Sequence, residues 1–166
     1  MTTKEKEIEF KAVYSAFSVK VQRLCLGYTG NEEEANDLLQ ETFIKVWQNL
    51  DTFRGESQMS TWVYRIAVNT CLQYIKKKKK KNETPLTEKA QVIKEEVHNK
   101  EEEVQLLYKC ISQLAAADRL IITLLLEEVP YAEIATVTAI SEGNLRVKIH
   151  RIKQQLSELY TKYEAI

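Results

Sequence analysis

Residues 60–75 read Ser60-Thr61-Trp62-Val63-Tyr64-Arg65-Ile66-Ala67-Val68-Asn69-Thr70-Cys71-Leu72-Gln73-Tyr74-Ile75, and six consecutive lysines, Lys76–Lys81, follow. Apolar residues fall on nearly every face of the helix this predicts, so most of it is buried. One polar stripe breaks the pattern: Thr61, Arg65, Asn69 and Gln73, continued by Lys76 and Lys77. Ser60 or Thr61 is the expected N-cap. The preceding loop, Phe53-Arg54-Gly55-Glu56-Ser57, adds an aromatic ring, a cation and a hydroxyl. Rings, hydrogen-bonding side chains and cations together are the chemistry of single-strand capture, in which bases stack or enter pockets while cations follow the backbone. A buried helix with a solvated lysine end is the plainer reading. It suffices for Trp62 and Ile66 but not for Arg65, Asn69 and the lysines.

Upstream, Phe10, Val13, Tyr14, Phe17, Val21, Leu24, Cys25 and Tyr28 recur at helical spacing, predicting a helix over about 4–28 that ends near Gly27 and Gly30-Asn31. A second helix, about 32–50, carries Ala35, Leu39, Phe43, Val46 and Leu50 on one stripe. With Leu39 and Val46 inward, its outer face shows Asp37, Gln40, Glu41, Ile44 and Gln48, with Trp47 at the edge. An apolar pair ringed by acids and amides repels DNA and suits a protein partner.

Residues 82–101 change character: Pro85, scattered Thr and Lys, many acids and weak periodicity predict a flexible linker. Periodicity resumes at Val104, Leu107, Tyr108, Ile111 and Leu114, then over about 118–128. Pro130 suits the first turn of a short helix, about 130–137. After Thr138-Ala139-Ile140, Ser141 caps a last helix running to about Tyr160, with Leu145, Ile149, Ile152, Leu156 and Leu159 inward. Two helices across so short a turn predict a helix-turn-helix. The outer face of the last helix presents Gly143, Val147, His150, Arg151 and Gln154, flanked by Asn144, Arg146, Lys148 and Lys153. Arg reads guanine, Asn and Gln read adenine, and a small apolar group meets a thymine methyl. Flanking cations hold phosphates. Val147, apolar on the solvent side, is the residue a merely solvated face does not explain.

The expected fold is therefore all-α: a three-helix N-terminal unit (1–81), a linker (82–101) and a four-helix C-terminal unit (102–166). Four Gly and two Pro in 166 residues argue against sandwiches and barrels. The 24 basic and 24 acidic residues cancel, but in blocks. Bases gather at 76–81 and 146–153, acids at 32–41 and 83–103, and salt screens charge beyond about 8–10 Å. Cys25, Cys71 and Cys110 lack any CxxC spacing and read as reduced core thiols. With so polar an N-terminus no signal peptide is expected. The apolar run near 120–126 falls short of the roughly 20 residues of a span, so a cytoplasmic chain is expected. His98 and His150 are far apart, with no nucleophile–base or metal-ligand set, so neither a catalytic site, a metal nor a cofactor is expected.

These surfaces, in this order, resemble the extracytoplasmic-function group of bacterial RNA polymerase sigma factors. Asp37-Leu38-Leu39-Gln40-Glu41-Thr42-Phe43 through Trp47 is similar to the helix by which that family binds core polymerase. Phe53-Arg54-Gly55 and residues 61–69 are similar to its −10 melting and recognition segment. Tyr131-Ala132-Glu133-Ile134-Ala135, Ile140–Leu145 and His150-Arg151 are similar to its −35 reader. The resemblance implies a first domain on the largest polymerase subunit, a second on the second-largest, promoter DNA across both, and an anti-sigma factor as inhibitor. It implies core contacts at Asp37, Gln40, Glu41, Ile44, Trp47 and Gln48. It implies −10 contacts at Phe53, Arg54, Ser57, Ser60, Thr61, Arg65, Asn69, Gln73, Lys76 and Lys77. It implies −35 contacts at Ser141, Gly143, Asn144, Arg146, Val147, Lys148, His150, Arg151 and Gln154. The rival reading is a stand-alone helix-turn-helix regulator that binds operators as a dimer through the Ile44–Trp47 patch.

Overall fold

The computed structural model describes residues 1–81 and 99–165. Over these residues the chain forms seven α-helices and no strand: α1 (Thr3–Thr29), α2 (Glu32–Asn49), α3 (Met59–Lys81), α4 (Asn99–Ser112), α5 (Ala116–Leu126), α6 (Tyr131–Thr138) and α7 (Glu142–Glu164). A single 3-10 turn, Leu50–Thr52, follows α2. The all-helical expectation holds, with three helices before the acidic segment and four after it. Residues 82–98 of the expected linker lie outside the described residues, and α4 begins at Asn99, inside the stretch expected to be linker.

Local chemistry accounts for the ends. Thr2 and Glu5 form a capping box at α1: the Thr2 hydroxyl accepts from the Glu5 N–H, and the Glu5 carboxylate accepts from the Thr2 N–H. α1 stops at Gly30, where φ is 66° and the cap N–H bonds Leu26 O. Asn31 caps α2 through the Glu34 N–H, and three glutamates fill its first turn, where the helix dipole favours them. Ser141 caps α7 by accepting from the Asn144 N–H at 3.3 Å, as expected.

Three expected details differ. α3 starts at Met59, and the Trp62 N–H bonds Gln58 O, so Ser60 and Thr61 sit inside the first turn rather than capping it. Their hydroxyls are committed elsewhere. Pro130 sits at the N-cap of α6, with φ −60° and ψ 149°, one residue outside the helix. On α2 the buried leucine is Leu38, with Thr42, Phe43 and Val46, while Leu39 is half-buried. The rest of the expected stripe, Ala35, Phe43, Val46 and Leu50, is buried.

The two helical units share one continuous core. Val21, Leu24, Cys25 and Tyr28 of α1 meet Val63, Ala67 and Cys71 of α3, and the cluster runs on into Ile111, Leu120, Ile121, Leu124 and Ile134. All three cysteines are buried and free, as expected. The seam lies between α1 and α5. At Gly27 the helices approach so closely that an added Cβ would fall 2.4 Å from Thr123 Oγ1. Arg23 pairs with Glu127 at 3.3 Å, and the Arg119 guanidinium lies over the Tyr28 ring at 5.4 Å. α6 packs against α3 along the same seam.

Candidate nucleic-acid interface

The stripe read from α3 is largely solvated. Arg65, Asn69, Gln73, Lys76 and Lys77 are exposed and lie along one face of α3. Thr61 does not share their exposure: it is buried, at 8%. Its hydroxyl donates to Glu133 Oε1 of α6 at 2.9 Å, and Ser60 Oγ donates to the same oxygen at 2.7 Å. The loop before α3 is held by Phe53, whose ring packs on Trp62 at 5.1 Å. Both rings are half-buried, which anchors the loop while Arg54 stays exposed beside Gly55, at φ 70°. The half-buried Ser57 hydroxyl donates to Gln58 O at 3.4 Å.

Gln73 has a partner the sequence did not disclose. Lys45 of α2 donates to Gln73 Oε1 at 3.1 Å and to Thr70 Oγ1 at 3.2 Å, and pairs with Glu41 at 3.0 Å. One cation therefore ties the acidic face of α2 to the polar stripe of α3. Its i,i+4 spacing to Glu41 was visible in the sequence; its reach to α3 requires the packing of the two helices.

On α2, Asp37, Gln40, Ile44 and Gln48 are exposed, with Ile44 at 56%. Glu41 is half-buried against Lys45. Trp47, at the edge of this face, is less open than Ile44. It is half-buried, met edge-on by Phe10 at 5.3 Å and overlain by Lys6 at 4.9 Å. Lys6 is itself tied to Asp51.

On α7 the outward set is well separated from the core residues Leu145, Ile149 and Ile152. Gly143, Asn144, Arg146, Val147, His150, Arg151 and Gln154 are all exposed, Val147 at 60%, and nothing would touch a Cβ at Gly143. Ser141 is exposed but spends its oxygen on the cap. Arg146 lies 3.8 Å from Glu142, a loose surface pair that leaves it available. Lys148 is turned back onto Asp118 of α5 at 3.0 Å and is half-buried. The turn that sets α7 against α6 passes through Ala139 at φ 57° and ψ 35°, in the left-handed region.

Charge and shape therefore define two outward polar faces, on α3 and α7, and one mixed acidic–apolar face on α2. Among the described residues there is no cluster of His, Cys, Asp and Glu able to hold a metal. Among the same residues, no helix is long and apolar enough to cross a membrane.

Comparison with known proteins bears on these faces as a set. Residues 13–81 match the family model described as Sigma-70 region 2, and residues 104–156 match Sigma-70, region 4. The chain is 30% identical over 168 residues to the ECF RNA polymerase sigma factor SigW of Bacillus subtilis, covering 90% of each. It is 34% identical to the ECF RNA polymerase sigma-E factor of Escherichia coli, over 72% of this chain and 70% of that one. In fold it is similar to the sigma factor RpoE of Bartonella quintana, solved in complex with the anti-sigma factor NepR. That likeness has a TM-score of 0.81 at 20% identity and covers 92% and 97% of the two chains. CnrH, solved with the cytosolic domain of CnrY, matches with a TM-score of 0.71 at 19% identity, covering 94% and 90%. With both regions matched in order and SigW aligned along nine-tenths of each chain, this protein belongs to the ECF group of RNA polymerase sigma factors, which direct promoter-specific transcription initiation.

Proposed function

We propose that this chain starts transcription as two weak DNA readers made strong by a shared tether, the core polymerase. Residues 1–81 form the unit that docks on the largest subunit and opens the −10 element; residues 102–166 form the unit that reads the −35 element and meets the second-largest subunit. Asp37, Gln40, Ile44 and Gln48 are the exposed polymerase contacts of α2. Arg54, Arg65 and Asn69, with Lys76 and Lys77, receive the unstacked non-template strand. Arg151, Asn144, Val147 and Gln154 face base edges in the major groove, and Arg146 and His150 flank them.

The observation that carries this reading is the pairing of two outward polar faces with an apolar, exposed Ile44 between acids on the third. Each face alone offers few phosphate contacts, each adding roughly −0.9 to the slope of log K against log salt. Binding both units to one polymerase raises their effective concentration on the promoter. The polymerase supplies the bond-making chemistry, and the sigma factor supplies position. The reading places the chain in the cytoplasm, with its polymerase. RpoE and CnrH were each solved with an inhibitory or cytosolic partner, and on that analogy we infer an anti-sigma partner here.

In vitro transcription of genomic fragments with core polymerase tests the reading. Added wild-type protein should confer start-site selection, Arg151→Ala should weaken use of the upstream element, and Asn69→Ala should impair opening. A dimeric operator-binding regulator would confer no initiation on bare core, and that result would end the proposal.

A further inference from the structure

We propose that Lys45, on the polymerase-facing helix α2, is a positioning residue for promoter reading: it holds the Gln73 amide so that its N–H groups face the DNA. This rests on the assignment of the exposed stripe of α3, Gln73 included, to the −10 element. Lys45 Nζ lies 3.1 Å from Gln73 Oε1, 3.2 Å from Thr70 Oγ1 and 3.0 Å from Glu41 Oε1. An ammonium carries three N–H donors and no acceptor, so these oxygens take all of them. The buried Thr70 hydroxyl donates its own proton to Ile66 O at 2.8 Å, which leaves only its lone pairs for Lys45. The Gln73 amide has no choice of edge. Turned the other way, its NH2 group would meet the ammonium donor to donor. The carbonyl oxygen therefore faces Lys45, and the NH2 group of this exposed side chain points away from it.

An amide free in water offers a nucleic acid either edge, donor or acceptor. With its carbonyl held, Gln73 offers donors alone. It then suits an acceptor on the promoter, a phosphate oxygen or the acceptor atom of a base edge. A base presenting an amino donor at that spot finds no partner. Leaving a polar group unpaired costs more than the net worth of one hydrogen bond, so an amide of fixed orientation discriminates where a free one adapts. Holding the side chain in advance also spares part of the rotamer entropy that binding would otherwise cost. Lys45 itself adds little direct grip on phosphate, because its N–H groups are committed to Glu41, Thr70 and Gln73. Its side chain is 31% exposed and its Thr70 partner is buried, so the anchor is partly shielded from water and salt.

The test uses holoenzyme assembled from core polymerase and saturating full-length chain, on a promoter obtained by in vitro transcription of genomic fragments. Saturation absorbs any change in polymerase affinity that follows from freeing Glu41. Fluorescein-labelled forked fragments, duplex upstream and single-stranded through the −10 element, carry each base of that element substituted in turn, and anisotropy reads their binding. Circular dichroism checks that every variant is folded. Gln73→Ala should weaken binding about three- to tenfold, the loss of one hydrogen bond. Lys45→Met should weaken it about threefold in the same pattern: at one promoter position if Gln73 meets a base acceptor, evenly if it meets a phosphate. Lys45→Arg, also a donor without an acceptor, should restore binding and pattern together. Removing a positive charge near DNA weakens binding by itself, so the deciding variant is the double one. If Lys45 acts through Gln73, Lys45→Met adds no further loss once Gln73→Ala is present, whereas a general charge effect persists there. Additive losses overturn the positioning role, and so does wild-type binding by Lys45→Met beside a defective Gln73→Ala. If Gln73→Ala binds like wild type while Asn69→Ala still impairs opening, the positioning role is wrong and the −10 assignment stands. If Gln73→Ala and Asn69→Ala both behave as wild type, the −10 assignment fails and takes the positioning role with it.

Discussion

Lys148 of α7 turns back to Asp118 of α5, Nζ to Oδ1 at 3.0 Å, so one of the basic residues proposed for the −35 contact is already engaged by a neighbouring helix. The pair is only partly shielded and is worth about 0–1 kcal/mol. Lys148→Ala should therefore change −35 duplex affinity by less than about threefold. Arg151 is exposed, with no ion-pair partner among the described residues, and its truncation should cost about 1–3 kcal/mol and relax base preference at one position. Titrations of each variant against a promoter duplex at several salt concentrations separate the two. Equal losses for Lys148→Ala and Arg151→Ala would show that Lys148 leaves Asp118 to meet DNA.

The helix-turn-helix bends at a residue poorly suited to its conformation. Ala139 holds φ 57°, and the N–H groups of Ala139 and Ile140 both bond Ala135 O, closing α6. An L-residue there costs about 1–2 kcal/mol that glycine avoids, partly offset by the greater freedom of glycine in the unfolded chain. Ala139→Gly should stabilise by about 0.5–1 kcal/mol and raise Tm by roughly 1–4 °C in a chain of this size. Ala139→Val should lower it. Thermal melts of the two variants decide the matter, and a Tm that falls for Ala139→Gly would refute the strain.

Tyr64 gives the seam a signature at high pH. Its phenol, ordinarily near 10, is pushed up to about 12 because burial, and then the charges of Glu133 and Glu127, disfavour the phenolate. The fold therefore holds this proton more tightly than the unfolded chain does. Its stabilising effect is complete below about pH 10 and disappears as pH rises through about 12. Between those values wild type should lose denaturant resistance faster than Tyr64→Phe, which has no proton to release. Urea midpoints at pH 9, 10 and 11 check this. Parallel decline in the two proteins would mean that Tyr64 titrates as if free.

The fold was legible because its signals are local. Apolar spacing, the Asn31 and Ser141 caps and Gly30 fix where α1, α2 and α7 begin or end, and these involve residues no more than four apart. The same range explains the errors. Ser60 and Thr61 look like caps because hydroxyls before an apolar run usually are, yet a carboxylate more than 70 residues away claims them. Leu39 and Leu38 are equally apolar, and only packing against α1 and α3 decides which is inward. The outward residues of α7 follow from periodicity alone, since the stripe Leu145–Ile149–Ile152 fixes the opposite face. Lys148, Lys45 and Glu133 could not be placed this way, because their roles depend on which helices become neighbours.

The face of α2 yields the sharpest contrast between two residues that sequence grouped together. Ile44 is exposed, which leaves its side chain free for the polymerase contact proposed above. Trp47 is half-buried beneath Phe10 and Lys6 and belongs mainly to the fold. Ile44→Glu should leave Tm within about 1–2 °C of wild type, as surface changes do. It should nonetheless weaken core polymerase binding at least tenfold, because a charge would be driven into an apolar contact. Trp47→Ala should lower stability by about 3 kcal/mol, toward the lower end expected for truncating a large aromatic since this ring is only half-buried. Measured at a temperature where that variant remains folded, its affinity for polymerase should fall less than that of Ile44→Glu. Parallel calorimetry and polymerase-binding titrations distinguish the two roles. Should Trp47→Ala lose polymerase affinity at unchanged stability, the ring must swing out from under Phe10 on binding, and the division of labour argued for these two side chains would be reversed.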